Sequence, residues 1–354
     1  MGEKGMKPEH ISYEEAAALH SKDPVSVRDA YPELLEDLFL IRNPRFKFER
    51  DHAKDLAAFV EAHASGRPLE QCGSWFRFPW SGHIVHYLPD EMHQELRTAR
   101  NRNLITVGEQ NRLRDTVVAV AGMSVGSHCA LTLNMMGMSR RMHIADPDAF
   151  SGSNMNRVRY DFTEVGRAKV DVALERMYQM DPYGEVVAFR EGVTDANVGA
   201  FLDGVDILLE ETDNLGMKIF LREEARKRGI PVVMATDNGD GVITDIERFD
   251  QDRNLKLFNG LIGDVTFEEF KSFPPTELPK LAAKIAGVEL IVPRMLESLA
   301  EVGKTLYSWP QLGDAATLSG VVVAYAVQRI ALGLPIRSGK IDVSIAKLFA
   351  PDGA

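Results

Sequence analysis

Between Thr116 and Arg157 the sequence reads TVVAVAGMSVGSHCALTLNMMGMSRRMHIADPDAFSGSNMNR, and this stretch leaves the chain few folds to choose from. Thr116–Ala121 is a run of β-branched and small residues with the character of a buried strand. Gly122-Met-Ser-Val-Gly126 is a tight glycine-bearing turn, and His128–Met138 carries helix formers with apolar residues at helical spacing. Arg141–Ala145 is a second short strand that ends on Asp146. Strand, glycine turn, helix, strand and terminal acid open a doubly wound α/β fold, a Rossmann-like, mostly parallel sheet. In such a unit the turn lets a phosphate approach the backbone, and the helix N-terminus offers unpaired N–H groups. An acid placed like Asp146 can hold ribose hydroxyls.

Further along the chain come Asp148, Ser153-Asn154-Met155-Asn156-Arg157, Gly166-Arg-Ala-Lys169 and, much later, Glu211-Thr-Asp213-Asn214. The order D-x-D, S-N-x-x-R, G-x-x-K, T-D-N resembles the superfamily of ThiF, MoeB and the adenylation domains of ubiquitin-activating enzymes. The resemblance covers residues 96 to 245 well and the C-terminal part more loosely. It implies an ATP- and Mg²⁺-dependent adenylyltransferase that activates a carboxylate as an acyl-adenylate with release of pyrophosphate. It also implies the roles: Asp146 on the ribose, Asn154 and Arg157 on the phosphates, Lys169 at the α and β phosphates, and Asp213 on Mg²⁺. The residue types suit those jobs independently. Lys169 is a compact point charge early in a helix, Asp213 follows an apolar strand, and a hard cation wants oxygen ligands. Asp148 either assists at the metal or caps the following turn.

The glycine turn departs from the usual G-x-G-G-x-G. With Gly126 as the last glycine, Ala121, Met123 and Ser124 fall at the other glycine positions; a shifted reading makes Gly122 the first. Either way side chains narrow the approach to the phosphate, and the Ser124 hydroxyl is a replacement donor. The turn G-M-S-V-G resembles a branch of bacterial ThiF-like proteins. Upstream, Arg97 to Arg102 concentrates arginines and asparagines in an otherwise acidic chain. In the resembled family this position holds an arginine that reaches across a homodimer interface to the ATP phosphates, and Arg102 fits it best, with Arg100 second. A guanidinium suits that task because it stays charged and donates in a fork. A solvated basic face is the competing reading.

Composition excludes several classes. The formal charge of -11 argues against a nucleic-acid partner, which needs a basic face. No apolar run reaches membrane-spanning length, and Met1–Glu15 is polar, without a secretory signal, so a cytoplasmic protein is expected. Cys72 and Cys129 cannot build a disulfide framework or a cysteine zinc site, so no zinc is expected. Cys129, inside the helix after the glycine turn, reads as a core residue rather than a nucleophile.

Residues 1–95 read as an N-terminal, helical and aromatic-rich extension, and 96–354 as the adenylation domain. Tyr13–Ser21, Pro32–Leu40 and His52–Ala64 have helical patterns. The aromatic run Cys72–Leu88 reads as cover for an edge of the main sheet, with a substrate or partner platform as the alternative. Glu185–Arg190, Asp206–Glu210, Pro231–Thr236, Gly241–Phe249 and Ile341–Ile345 read as further strands, and Asp314–Leu332 as a buried helix. The irregular stretch Asp250–Pro293 is where the resemblance puts the acceptor groove. The acceptor is expected to be the C-terminus of a small ubiquitin-like protein, a peptide or a small acid. Two other functions use the same opening unit: an NAD-dependent oxidoreductase, and a non-catalytic nucleotide-binding scaffold.

Overall fold

The computed structural model describes residues 6–22, 27–49, 51–263, 265–274 and 276–351. The first five residues of the expected lead-in therefore lie outside the described residues. The chain forms two compact units, Met1–Gly108 with Tyr178–Gly184, and Glu109–Met177 with Glu185–Ala354.

The first unit contains β1 (Glu9–Ile11), α1 (Tyr13–Lys22), β2 (Val27–Arg28), α2 (Tyr31–Arg42), α3 (Ala53–Ala64), β3 (Ser74–Phe78), β4 (His83–Tyr87) and α4 (Asp90–Arg97). Pro32 sits in the first turn of α2, where its missing N–H costs nothing, and the helix stops at Asn43 before Pro44. The aromatic run Cys72–Leu88 belongs to this unit. It is a hairpin, β3 and β4, at the centre of its own sheet, ordered β1-β3-β4-β2. The hairpin pairs its own backbone groups, and its rings fill the unit's core. The His86 ring lies between Tyr31 and Trp75, with centroids 4.0 and 4.2 Å away. Clustered rings specify packing, but not which sheet they pack on.

The second unit is the doubly wound sheet. Its elements are β5 (Val118–Ala121), α6 (Val125–Met135), β6 (Arg141–Ala145), α7 (Lys169–Met180), β7 (Glu185–Phe189), α8 (Val198–Phe201), β8 (Ile207–Glu210), α9 (Leu215–Arg228), β9 (Val232–Asn238) and β10 (Gly241–Glu247). The short helices α10 (Phe267–Lys271), α11 (Leu278–Ala286) and α12 (Pro293–Leu299) follow, then α13 (Gly313–Ala331) and β11 (Gly339–Val343). Between the two sets, α5 (Val107–Asp115) leads into β5. Among the described residues the strand order is β11-β10-β9-β8-β5-β6-β7. Strands β5 to β9 run parallel, and β10 and β11 are antiparallel additions at one edge. Every residue of β5 and β8 is buried, which explains why β5, and β8 up to Glu210, read as apolar runs.

The chain steps outward from β5 through β6 to β7, then returns to the other side of β5 as β8. The loops leaving β5 and β8 therefore diverge from neighbouring strands. That switch point at the carboxyl ends is where open α/β sheets leave a crevice.

Candidate functional site

The glycine turn is built around Gly122. Its φ of +92° is open to glycine, and a Cβ there would run into the Glu211 carbonyl oxygen on the loop after β8. The Gly122 N–H donates to the Ala145 carbonyl at 2.7 Å, and the Glu211 N–H donates to the Ala121 carbonyl at 2.8 Å. The turn is thus fastened to both neighbouring strand ends. Gly126 lies in the first turn of α6, where a Cβ would come within 2.9 Å of Val120 Cγ1. Gly122 meets the conformational demand and Gly126 permits the close helix–strand approach.

A cavity of about 860 Å³ opens beside this turn. Of the residues singled out from sequence, Ser124, Asp148, Asn154, Arg157, Lys169 and Asp213 line it. Ser124 precedes α6 and its buried Oγ has no hydrogen-bond partner among the described residues. Arg157 donates from Nη1 to the Ser153 carbonyl at 3.0 Å and to Asn156 Oδ1 at 2.9 Å, while its buried Nε has no partner. Burial pushes the Arg157 guanidinium below its usual range, and the charges of Asp213 and Asp237 oppose that shift. Asn154 closes a turn: its Oδ1 accepts the Ser151 N–H at 2.9 Å, and the Ser151 hydroxyl donates to it at 3.1 Å. Lys169, 8% exposed, begins α7, with its Nζ 2.8 Å from Asp148 Oδ2 and 3.7 Å from Asp146 Oδ2.

Asp146 is buried behind the turn rather than lining the cavity. Its Oδ2 accepts the Met123 N–H at 2.6 Å and its Oδ1 accepts the Asp148 N–H at 2.8 Å. Burial raises its carboxyl, against the pull of Lys169 and the two N–H donors. Asp148, two residues on, is the exposed member of the pair and lines the cavity. Asp213 is exposed and also lines it. The cap of α9 is Asn214, whose Oδ1 accepts the Met217 N–H at 3.0 Å, so the neighbouring Asp213 carboxylate is left without that task. Arg102 belongs to the first unit; it follows the short turn Ala99–Asn101 and is exposed.

The donor set fits an anion carrying phosphates. Two buried donors lack partners among the described residues, the α6 N-terminus lies beside them, and Lys169 adds a cation. No group of three or more metal-ligating side chains occurs among the described residues. Mg²⁺ bound with a nucleotide needs no such group, since one or two carboxylates suffice when phosphates supply the other oxygens. The free Asp213 carboxylate at the cavity wall fits that requirement.

Sequence reading missed several lining residues. Glu211 is buried, its Oε1 accepts the Ala235 N–H at 3.0 Å, and burial pushes its carboxyl well above the usual range. Lys218 is tied to Glu210 at 3.2 Å. Asp237, at the carboxyl end of β9, is 3% exposed, and burial raises its carboxyl to about 6. Its position at a strand end was the available signal. Gln311, Trp309, Leu299, Ile291 and Ala282 complete the wall from the C-terminal third. The contribution of Leu299, Ile291 and Ala282 had no local signature. Cys129 is fully buried in α6 and its thiol is pushed well up by burial, so it has no nucleophilic character.

A family model described as the ThiF family matches residues 98–273. The chain is 34% identical over 306 residues to an uncharacterized protein of Mycobacterium tuberculosis (strain CDC 1551 / Oshkosh), a match covering 86% of this chain and 42% of that protein. It is 32% identical over 154 residues to the tRNA threonylcarbamoyladenosine dehydratase of Bacillus subtilis (strain 168), covering 42% of this chain and 59% of that one. The matches thus span less than two thirds of either relative's length. Among solved structures, Escherichia coli MccB crystallised with ATP shares the fold at 12% identity and a TM-score of 0.50, covering 88% of this chain and 83% of that one. No helix among the described residues is long and apolar enough to cross a membrane.

Proposed function

From the premise that residues 98–273 belong to the ThiF family, we propose that the protein binds ATP in this cavity and transfers AMP to a carboxylate. The observation that carries the reading is the pair of buried, partnerless donors, Ser124 Oγ and Arg157 Nε, in the same wall as Lys169. A buried donor without an acceptor costs about 1–3 kcal/mol, a cost that phosphate oxygens would remove.

In this reading Lys169 and Arg157 neutralise the triphosphate, and Asn154 and Ser124 donate to its oxygens. Asp148, the cavity-facing acid after β6, takes the ribose side together with the turn that Asp146 holds in shape. The acceptor carboxylate attacks the α-phosphorus and pyrophosphate leaves. Both reactants are anionic, so the side chains act by neutralising charge and fixing the line of attack. Mg²⁺ held at Asp213 would screen the phosphate oxygens. A homodimer in which Arg102 serves a partner's nucleotide, and a cytoplasmic setting, belong to the same proposal.

The test is ATP–pyrophosphate exchange with candidate carboxylic acids. Lys169→Ala and Asp213→Ala should each lower exchange at least about a hundredfold, the scale of losing one preorganised charge partner. Wild-type exchange in both variants would refute the assignment. A melting shift with NAD but none with ATP would point instead to a nicotinamide-dependent enzyme.

A further inference from the structure

The cavity has a second region that the nucleotide reading does not use. Asp237 is 3% exposed and lines it, yet both of its hydrogen-bond partners are uncharged. Gln311 Nε2 donates to Oδ2 at 3.1 Å, and Ser319 Oγ donates to Oδ1 at 3.1 Å. Among the described residues Asp237 forms no ion pair. The nearby Arg157 is turned to other acceptors, with Nη1 on the Ser153 carbonyl and on Asn156 Oδ1.

A buried carboxylate held only by neutral donors is costly unless a cation comes to it. Each of its oxygens has accepted one hydrogen bond and keeps lone-pair capacity for another. Ala282, Ala286, Ile291 and Trp309 line the same cavity, and Trp309 stands two residues before Gln311, the donor to Asp237. An aromatic ring in the same cavity as a buried acid suits a compact organic cation. These residues lie at or beyond the end of β9, and most lie outside the matched residues 98–273.

We propose that this end of the cavity binds a primary ammonium group, paired with Asp237 and flanked by Trp309. The ligand is then a small carboxylic acid that carries its own amine, an amino acid, rather than the tail of a folded protein. That identification of the acceptor rests on the adenylation reading; the ammonium subsite itself does not. Arg157, Asp213 and Asp237 line the same cavity, so one small molecule can present its carboxylate on the phosphate side and its amine to Asp237.

Calorimetric binding to the whole 354-residue chain without nucleotide tests the subsite, using L-leucine against isocaproate and β-alanine against propionate. At least one amino acid should bind the wild type about tenfold or more tighter than its deaminated partner, the size of a charge-assisted hydrogen bond. Asp237→Asn, nearly isosteric, should abolish that preference. Trp309→Ala should weaken the amino acid severalfold, the scale of a cation–π contact, and leave the deaminated acid unchanged. Equal binding of both partners, no binding of either amino acid, or a preference that survives Asp237→Asn would overturn the inference. Exchange measurements separate the two proposals: amino-acid binding without exchange sinks adenylation alone, and exchange only with deaminated acids sinks the ammonium subsite alone.

Discussion

The Lys169 ammonium and the Asp148 carboxylate are 2.8 Å apart at the cavity wall, and the same ammonium lies 3.7 Å from buried Asp146. One cation therefore serves an exposed acid and a buried acid at once. Any phosphate that reaches Lys169 does so in competition with Asp148.

Removing that cation should expose the cost of burying Asp146. Lys169→Ala is expected to lose about 1–3 kcal/mol of stability at pH 8, where Asp146 stays ionised with its N–H donors but without the lysine. At pH 5 the loss should shrink, because burial already holds the Asp146 carboxyl above its ordinary value and a proton can replace the missing charge. Urea denaturation at the two pH values measures this; equal losses would mean that the pair is not energetically coupled.

Gly122→Ala should cost more than about 2 kcal/mol, combining an unfavourable positive φ with a Cβ driven into the Glu211 carbonyl oxygen. Gly166→Ala is the control. Its φ of +89° is similarly demanding, but nothing lies within 4 Å of the added Cβ. Thermal unfolding of the two variants should show the larger loss at Gly122, and a reversed order would contradict the packing described for the turn.

Beneath the cavity, Arg222 is fully buried and reaches Glu210 from Nη1 and Glu247 from Nε, each at 2.5 Å. Burial acts to raise Glu210, yet Lys218 and Arg222 overcome it and hold the carboxyl below its usual range. Glu247 is instead raised to about 7 by burial, against the pull of Arg222. Arg222→Met leaves buried Glu247 without its cation and Glu210 with Lys218 alone, and should cost about 3–5 kcal/mol. Chemical denaturation reads it, and a variant within about 1 kcal/mol of wild type would show that water or protonation relieves the site at little cost.

Asp237 gives stability a characteristic pH dependence. Its folded carboxyl is raised to about 6 from an ordinary 3.8, so the folded state holds the proton more tightly than the unfolded chain. Its contribution is fully present below about pH 4, falls as pH rises through 6, and amounts to on the order of 2–3 kcal/mol. Asp237→Asn should flatten this part of the profile. A bound amine should lower the folded value and shift the fall in the opposite direction, because the cation favours the ionised acid.

Much of this protein is local in origin, and the sequence carried it. The buried strands β5 and β8 are uncharged or nearly so along their length, α6 follows a turn that needs glycine, and Lys169 and Asp213 stand beside element ends. Those signals are set by strand burial, helix period and backbone sterics, all of which act within a few residues. They were enough for the α/β class and for six residues that meet in one cavity.

Other features depended on tertiary structure. Sequence reading put Asp146 on the ribose and Asp148 at the metal or on a turn, but the fold turns the first inward onto the Met123 N–H and leaves the second at the cavity. The aromatic run Cys72–Leu88 is plainly a packing segment, yet its partner strand is β1, more than sixty residues earlier in register. Asp237, Gln311 and Ser319 meet only because α13 returns over the end of β9. Sequence by itself located the strands, the helix and the glycine turn to within a few residues, since the forces behind them are short-ranged. Which acids became buried, and what faces them across the cavity, was decided by long-range packing, because desolvation is fixed by whatever neighbour the completed fold supplies.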